Sequence, residues 1–163
     1  MYNKMSNFKK VVDFNQAFGV TVKDTAHQTV FQDDQSLVKL RLGLINEEVK
    51  ELNEAVENHD FVETIDALAD ILYVVYGAGA SFGIDLDKAF NIVHDSNMSK
   101  LCKTEDEAKE TVDWYKKNDD RYDSPSYRKG VTGDYWVVFN QSSGKILKSV
   151  NYTPADFKTM LTE

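Results

Sequence analysis

Glu47–Asp70 reads EEVKELNEAVENHDFVETIDALAD, and its acids decide how the rest of the chain is read. Nine of these 24 residues are acidic (Glu47, Glu48, Glu51, Glu54, Glu57, Asp60, Glu63, Asp66 and Asp70), against one base, Lys50. The stretch carries a net charge of −8, the formal net charge of the whole 163-residue protein; the remaining 139 residues hold 18 acids and 18 bases. Carboxylates crowded on neighbouring helices repel one another and resist desolvation unless a cation neutralises them. A hard divalent ion such as Mg2+ is the usual partner of oxygen-only ligands. An arbitrary charge run is more often a solvated helix face, so spacing has to separate the two readings.

Residues at i, i+3 and i+4 are neighbours on a helix. Glu47 and Glu48 can therefore each share an ion with Glu51, and Asp66 can share one with Asp70 on the following helix. If the two helices run antiparallel about Asn58-His59, Glu51 and Asp70 lie at similar distances from the turn and face each other. Glu54 and Glu57 fall off the inner stripe, Glu54 within reach of Lys50, and Asp60 reads as a helix cap.

Working outward, Ser36 is expected to cap a long helix to about Asn58, with Leu42, Ile45, Val49, Leu52 and Val56 as its buried stripe. Asp60-Phe-Val-Glu63 has the form of a capping box opening a second helix that stops at Gly83. The second half of that helix, Ile71–Tyr76, is apolar all round, as in a buried helix. Ser6 precedes a short helix through Phe18, and residues 20–35 form a loop long enough to serve as a lid or base-binding segment. Asp85 caps a helix to about Leu101, and Thr104-Glu-Asp-Glu107 opens a charged helix to about Asn118. Asn118–Lys129 reads as a loop, Tyr135–Phe139 and Lys145–Val150 as a β-hairpin, and Ala155–Leu161 as a short helix.

Hydrophobic residues make up 42% of the chain and there are two prolines, which argues for a globular protein. Excess acid argues against nucleic acid or an anionic membrane as partner. The single cysteine, Cys102, excludes an internal disulfide and suits a reducing compartment. Met1–Lys10 lacks the apolar core of a signal peptide, and the longest uncharged run, Ile71–Ile84, has 14 residues, too few to span a bilayer. A soluble cytoplasmic protein is expected.

At Glu47-Glu48-Val-Lys-Glu51 the chain resembles the all-α nucleoside triphosphate pyrophosphatases, the MazG-like superfamily, which carry E-E-x-x-E on one helix and E-x-x-D on the next. Glu63-Thr-Ile-Asp66 matches the second motif by letter. Asp66-Ala-Leu-Ala-Asp70-Ile-Leu-Tyr matches it better in context, because an apolar-aromatic run follows the family's Asp. In that register a family acid falls on Ala67, and Asp66 or Glu63, one turn away on the same stripe, could substitute, Asp66 being favoured. Asp66–Gly77, Gly83-Ile-Asp-Leu and Ser96-Asn-Met-Ser-Lys100 are similar to a short phosphoribosyl-ATP pyrophosphohydrolase-like subgroup.

The resemblance covers about residues 8–101 and implies a mainly α fold with a four-helix core over 1–102. Residues 103–163 are then a helix-and-hairpin extension packed on that core. It also implies Mg2+-dependent cleavage (Mn2+ substituting) of the α–β phosphoanhydride of a nucleotide, giving monophosphate and pyrophosphate. Glu48, Glu51, Asp66 and Asp70 would hold metal, and Glu47 or Glu48 would orient water as a base. Asn97, Lys100 and Arg41 would contact substrate phosphate. A homo-oligomer, dimer or tetramer, is implied as well.

Two other readings compete. An HD-type phosphohydrolase is suggested by His59-Asp60 and His94-Asp95, but such a site needs several histidines and His59 sits in a turn. A non-catalytic module whose acidic helices bind a basic partner is the other. A di-iron bundle is excluded by spelling, since no histidine has Glu three residues before it.

Overall fold

The computed structural model describes residues 5–161; the first four residues, which open the stretch examined for a signal peptide, lie outside the described part. Six α-helices and a two-stranded sheet follow in order: α1 (Asn7–Ala17), α2 (Val30–Asp33), α3 (Gln35–Glu57), α4 (Phe61–Phe82), α5 (Leu86–Met98), α6 (Glu105–Asn118), β1 (Pro125–Lys129) and β2 (Trp136–Asn140). A 3-10 turn, Lys158–Leu161, replaces the expected closing helix. The chain divides into two compact units, Met1–Phe90 with Phe157–Glu163, and Asn91–Asp156.

The helix ends are set by local chemistry. Ser6 accepts from the Lys9 N–H, Asp60 from those of Val62 and Glu63, and Asp85 from those of Asp87 and Lys88. Asp34, not Ser36, caps α3; its carboxylate accepts from the Leu37 N–H at 3.0 Å and also takes the Ser36 hydroxyl. The expected loop at 20–35 contains the single turn of α2. At the far end of α4, Gly83 adopts φ 72°, and a Cβ there would meet the Thr25 carbonyl oxygen at 1.9 Å, so only glycine fits. Asn58–Asp60 reverses the chain between α3 and α4, with His59 at φ 56°, unusual for a residue with a side chain.

In the first unit α3 packs along α4, and α1 lies across α4. Ring contacts fix the latter: Phe8 meets Tyr76 at 6.1 Å, and Phe14 meets Tyr73 edge-on at 5.5 Å. The inner stripe of α3 differs from expectation. Leu37, Arg41, Leu44, Glu48 and Ala55 turn inward; of the expected stripe Ile45 and Leu52 are half-buried at the border, whereas Leu42, Val49 and Val56 are exposed. Leu42, Ile45, Val49, Leu52 and Val56 step by three and four, as do Phe61, Ile65, Leu68, Leu72 and Val75 on α4. These are heptad-like seams along the flank of the hairpin, and most of their members are exposed. The apolar second half of α4 is therefore buried on one face only. By length and composition α4 is long and apolar enough to cross a membrane. Its acids Glu63, Asp66 and Asp70 and its packing on α1 and α3 are those of a helix in a protein bundle.

The second unit has its own core of Cys102, Ala108, Val112, Tyr115, Val138 and Leu147. Its hairpin joins β1 to β2, from Pro125↔Asn140 to Lys129↔Trp136, so part of the expected Asn118–Lys129 loop is a strand. Pro125 opens β1, a position a strand tolerates. Lys145–Val150 is not the hairpin partner; it adds the Phe139↔Ile146 bridge and a Leu147 N–H donated to the Val138 carbonyl at 2.9 Å.

Candidate functional site

Glu48 lies on the inward stripe of α3, one turn before Leu52, where the helix packs on α4. A glutamate on that stripe is partly withdrawn from water, and its Oε2 is buried with no hydrogen-bond partner. Burial pushes its carboxyl above the ordinary range, and the negative charges of Glu51, Asp70, Glu47 and Asp66 push it in the same direction. Acids from both helices thus converge electrostatically on one side chain. Glu47, Glu51, Asp66 and Asp70 are themselves exposed around it.

The α4 register explains which acids take part. Ala67 is 4% exposed, turned into the α3–α4 contact, and Asp66 and Asp70 flank it. Asp66 and Asp70 of α4 both act on Glu48. Lys50 and Glu54 pair with each other at 3.2 Å on the outside of α3.

A divalent cation fits this donor set chemically. The buried Glu48 oxygen is an acceptor with nothing donating to it, and four further carboxylates make the site attractive to positive charge. Among the described residues, no three acid, imidazole or thiol side chains are grouped closely enough to hold an ion as they stand. Seating one would draw the exposed carboxylates inward around Glu48.

Arg41 sits two turns before Glu48 on the same inward stripe and is 6% exposed. Its Nε and Nη2 are buried without acceptors, and burial lowers the proton affinity of its guanidinium. Gly77 of α4 makes room for it: a Cβ there would lie 3.2 Å from Nη1 of Arg41 and 4.0 Å from Val11. Gly79 similarly admits Leu86, so the Gly77-Ala-Gly79 segment serves close helix packing. Asn15 on α1, 4% exposed and with a partnerless Nδ2, was not singled out by its sequence. Its signal was a polar residue on the apolar stripe begun by Phe8 and Val11.

The other candidates lie apart in sequence or unit. Asn97 and Lys100, at the end of α5, belong to the second unit, where the Lys100 ammonium donates to Asn97 Oδ1 at 2.7 Å. His59 occupies the α3–α4 turn, and His27 contacts Asp33 at 3.2 Å. Neither of the two shares a metal-capable cluster among the described residues. A cavity of about 580 Å³ lies between the start of α1, residues 22–26, the α4–α5 corner and the C-terminal turn, and none of the candidate acids lines it.

The family model for phosphoribosyl-ATP pyrophosphohydrolase matches residues 11–97, which includes Arg41, all the converging acids and Asn97. The chain is also similar to the uncharacterized protein L479 of Acanthamoeba polyphaga mimivirus, at 30% identity over 97% of this chain and 96% of that protein. That likeness extends through the second unit, beyond the family match. With more than half of its length in the match and α3 and α4 inside it, the chain belongs to the phosphoribosyl-ATP pyrophosphohydrolase family, within the MazG-like all-α NTP pyrophosphatases.

Proposed function

We propose that the protein is a Mg2+-dependent nucleotide pyrophosphohydrolase that splits the α–β phosphoanhydride of an NTP or dNTP into monophosphate and pyrophosphate. One observation carries the reading: the partnerless buried Glu48 oxygen, with acids of both α3 and α4 acting on it. A polyanionic substrate is repelled by such a cluster unless cations reverse its sign. Glu48, Glu51, Asp66 and Asp70 would hold Mg2+, or Mn2+ in its place. When bound, the ion supplies charge neutralisation for the phosphates and the departing pyrophosphate.

The exposed carboxylate of Glu47 is left to orient water and take its proton. Oxygen then bonds to phosphorus as the bond to the bridging oxygen breaks, and the electron pair leaves with pyrophosphate. Pyrophosphate release from a panel of common and modified (d)NTPs, with and without Mg2+, tests this. Turnover that depends on Mg2+ and is lost in Asp70→Asn is expected. No turnover with any nucleotide would return the protein to the class of acidic binding modules.

A second copy of the chain is proposed as the partner of the heptad-like seams on α3 and α4, giving a homo-oligomer by helix-bundle contacts. Two hairpins laid seam to seam would cover Leu42, Val56, Leu68 and Leu72, all at least half exposed. Light scattering that finds a monomer at micromolar concentration would remove this part. A cytoplasmic location agrees with the single cysteine, which is buried and free.

A further inference from the structure

Besides the Glu48 oxygen, three partnerless buried polar atoms lie in the α1–α3–α4 layer: Nδ2 of Asn15 and Nε and Nη2 of Arg41. All three are donors. Nothing in the packing of α3 asks for a charge at position 41, since an aliphatic residue would continue the stripe of Leu37 and Leu44. A guanidinium held out of water without a counter-ion weakens the fold, so its place there calls for an acceptor that arrives from outside.

The helices fix where that acceptor would lie. Arg41 reaches α4 at Gly77, where Val11 of α1 also meets it, and Asn15 follows Val11 by one turn. Gly77 is seven residues beyond Asp70, and Arg41 is seven before Glu48, a separation of about 10 Å along each helix. The donors and the carboxylates are thus two ends of one polar seam. The ends differ in character. Glu47, Glu51, Asp66 and Asp70 are exposed, which suits a hydrated polyphosphate and an outgoing pyrophosphate. The donor end is enclosed and flanked by the Phe8–Tyr76 and Phe14–Tyr73 ring pairs, which suits a neutral planar group.

The free Nε/Nη2 edge of an arginine is a two-pronged donor that matches adjacent acceptors such as O6 and N7 of a 6-oxopurine. An exocyclic amine in that position sets donor against donor. We propose that Asn15 and Arg41 form the base-reading end of the nucleotide site and select 6-oxopurine bases over 6-aminopurines. This rests on the pyrophosphohydrolase reading above and gives Arg41 a base as its partner, in place of the phosphate expected from the family resemblance.

The test compares matched substrates, ITP with ATP and GTP with the triphosphate of 2,6-diaminopurine riboside, in pyrophosphate release, together with calorimetric binding of IMP and AMP. The oxo member of each pair is expected to have a kcat/KM higher by about 10- to 100-fold, the usual discrimination of a two-pronged base contact. Arg41→Leu should bring each ratio close to one. Arg41→Lys, which keeps the charge and loses the fork, should do the same. Ratios near one in the wild type, or unchanged in both folded variants, overturn the proposal. Turnover with equal IMP and AMP affinities removes the base site and leaves the hydrolase. No turnover, with IMP bound tighter than AMP through Arg41, removes the hydrolase and leaves the base site. If neither monophosphate binds and no nucleotide turns over, both fall.

Discussion

Glu48 in the first unit and Glu107 in the second are both half-buried glutamates, and their surroundings drive them in opposite directions. Burial works against ionisation in each. At Glu107 it is outweighed by the Ser149 hydroxyl and the Lys103 N–H, which donate to its two oxygens, and the carboxyl is held below its ordinary range. At Glu48 no donor answers, neighbouring acids add to the burial, and the carboxyl is pushed up. The same contrast runs through the two units. In the second, large side chains such as Leu147, Val138 and Tyr115 fill the core, and the buried Thr111 hydroxyl donates to the Glu107 carbonyl. In the first, the buried apolar residues include the small Ala55, Ala67, Ala78 and Ala80, the buried Ser81 hydroxyl donates to the Thr21 carbonyl, buried polar atoms of Asn15, Arg41 and Glu48 have no partner, and large apolar residues of α3 and α4 line the outside. Among the described residues, the buried side-chain polar atoms of the second unit find partners, whereas those three residues of the first keep atoms that do not.

The contrast can be broken most severely in the first unit. Glu51→Gln and Asp70→Asn should each lower turnover by about 10²–10³-fold, the scale of losing one preorganised charge-stabilising group, while helix content by circular dichroism stays unchanged. Wild-type rates in both would remove the site. In the second unit, Leu147→Ala, in a fully enclosed position, should cost about 2–5 kcal/mol in denaturant unfolding. Leu72→Ala, at an exposed position on α4, should cost far less in the monomer and act through assembly instead. Equal costs would mean that the two units are packed alike.

Mg2+ at about a hundred times its Kd should add about 2.7 kcal/mol, raising Tm by roughly 5–10 °C. Asp70→Asn should lose most of that gain.

The smallest effect separates the two glutamates by pH. A raised folded-state pKa means that the Glu48 contribution is present at low pH and lost as pH rises through the folded value. Without divalent ion, Glu48→Gln should therefore stabilise the protein at neutral pH and do little below the ordinary carboxylate range. The Glu107 contribution has the opposite sign: it is present above the unfolded pKa and lost as pH falls through the lowered folded value. Glu107→Gln should destabilise at neutral pH, with a difference that fades in acid. Melting curves of both variants from neutral pH into acid check the pair, and matching signs at neutral pH would cancel the comparison.

Much of this was legible because helix ends are written locally. Ser6, Asp60, Gly83, Asp85 and Thr104 are each read from a few neighbouring residues, and the helices start or stop where those residues require. The inner face of α3 was harder to read. Its most hydrophobic stripe lies along the flank, and the inward stripe is interrupted by Arg41 and Glu48, so a search for apolar spacing selects the wrong side. Strand β1 is short and polar, with Ser126, Arg128 and Lys129 around Tyr127, and its pairing with β2 depends on contacts distant in sequence. The i+3 and i+4 spacing grouped Glu47, Glu48 and Glu51 on one helix and Asp66 and Asp70 on the next and set Glu51 opposite Asp70, while the side chain partly withdrawn from water among them is Glu48. Asn15 was not anticipated, because its signal, one neutral polar residue on the stripe of Phe8 and Val11, is faint beside a cluster of charges.

The left-handed backbone at His59 has a consequence for how this protein can vary. A residue inserted into or deleted from the three-residue reversal between α3 and α4 would force a new turn conformation there and change which faces of the two helices meet. Asp66 and Asp70 would swing to another azimuth, away from Glu48, even with every side chain unchanged. Residues 20–29 are fastened to the other end of α4 by the Lys23 and His27 N–H groups donated to the Ala80 and Phe82 carbonyls, and the reversal acts as a gear tooth that keeps the two acid rows meshed.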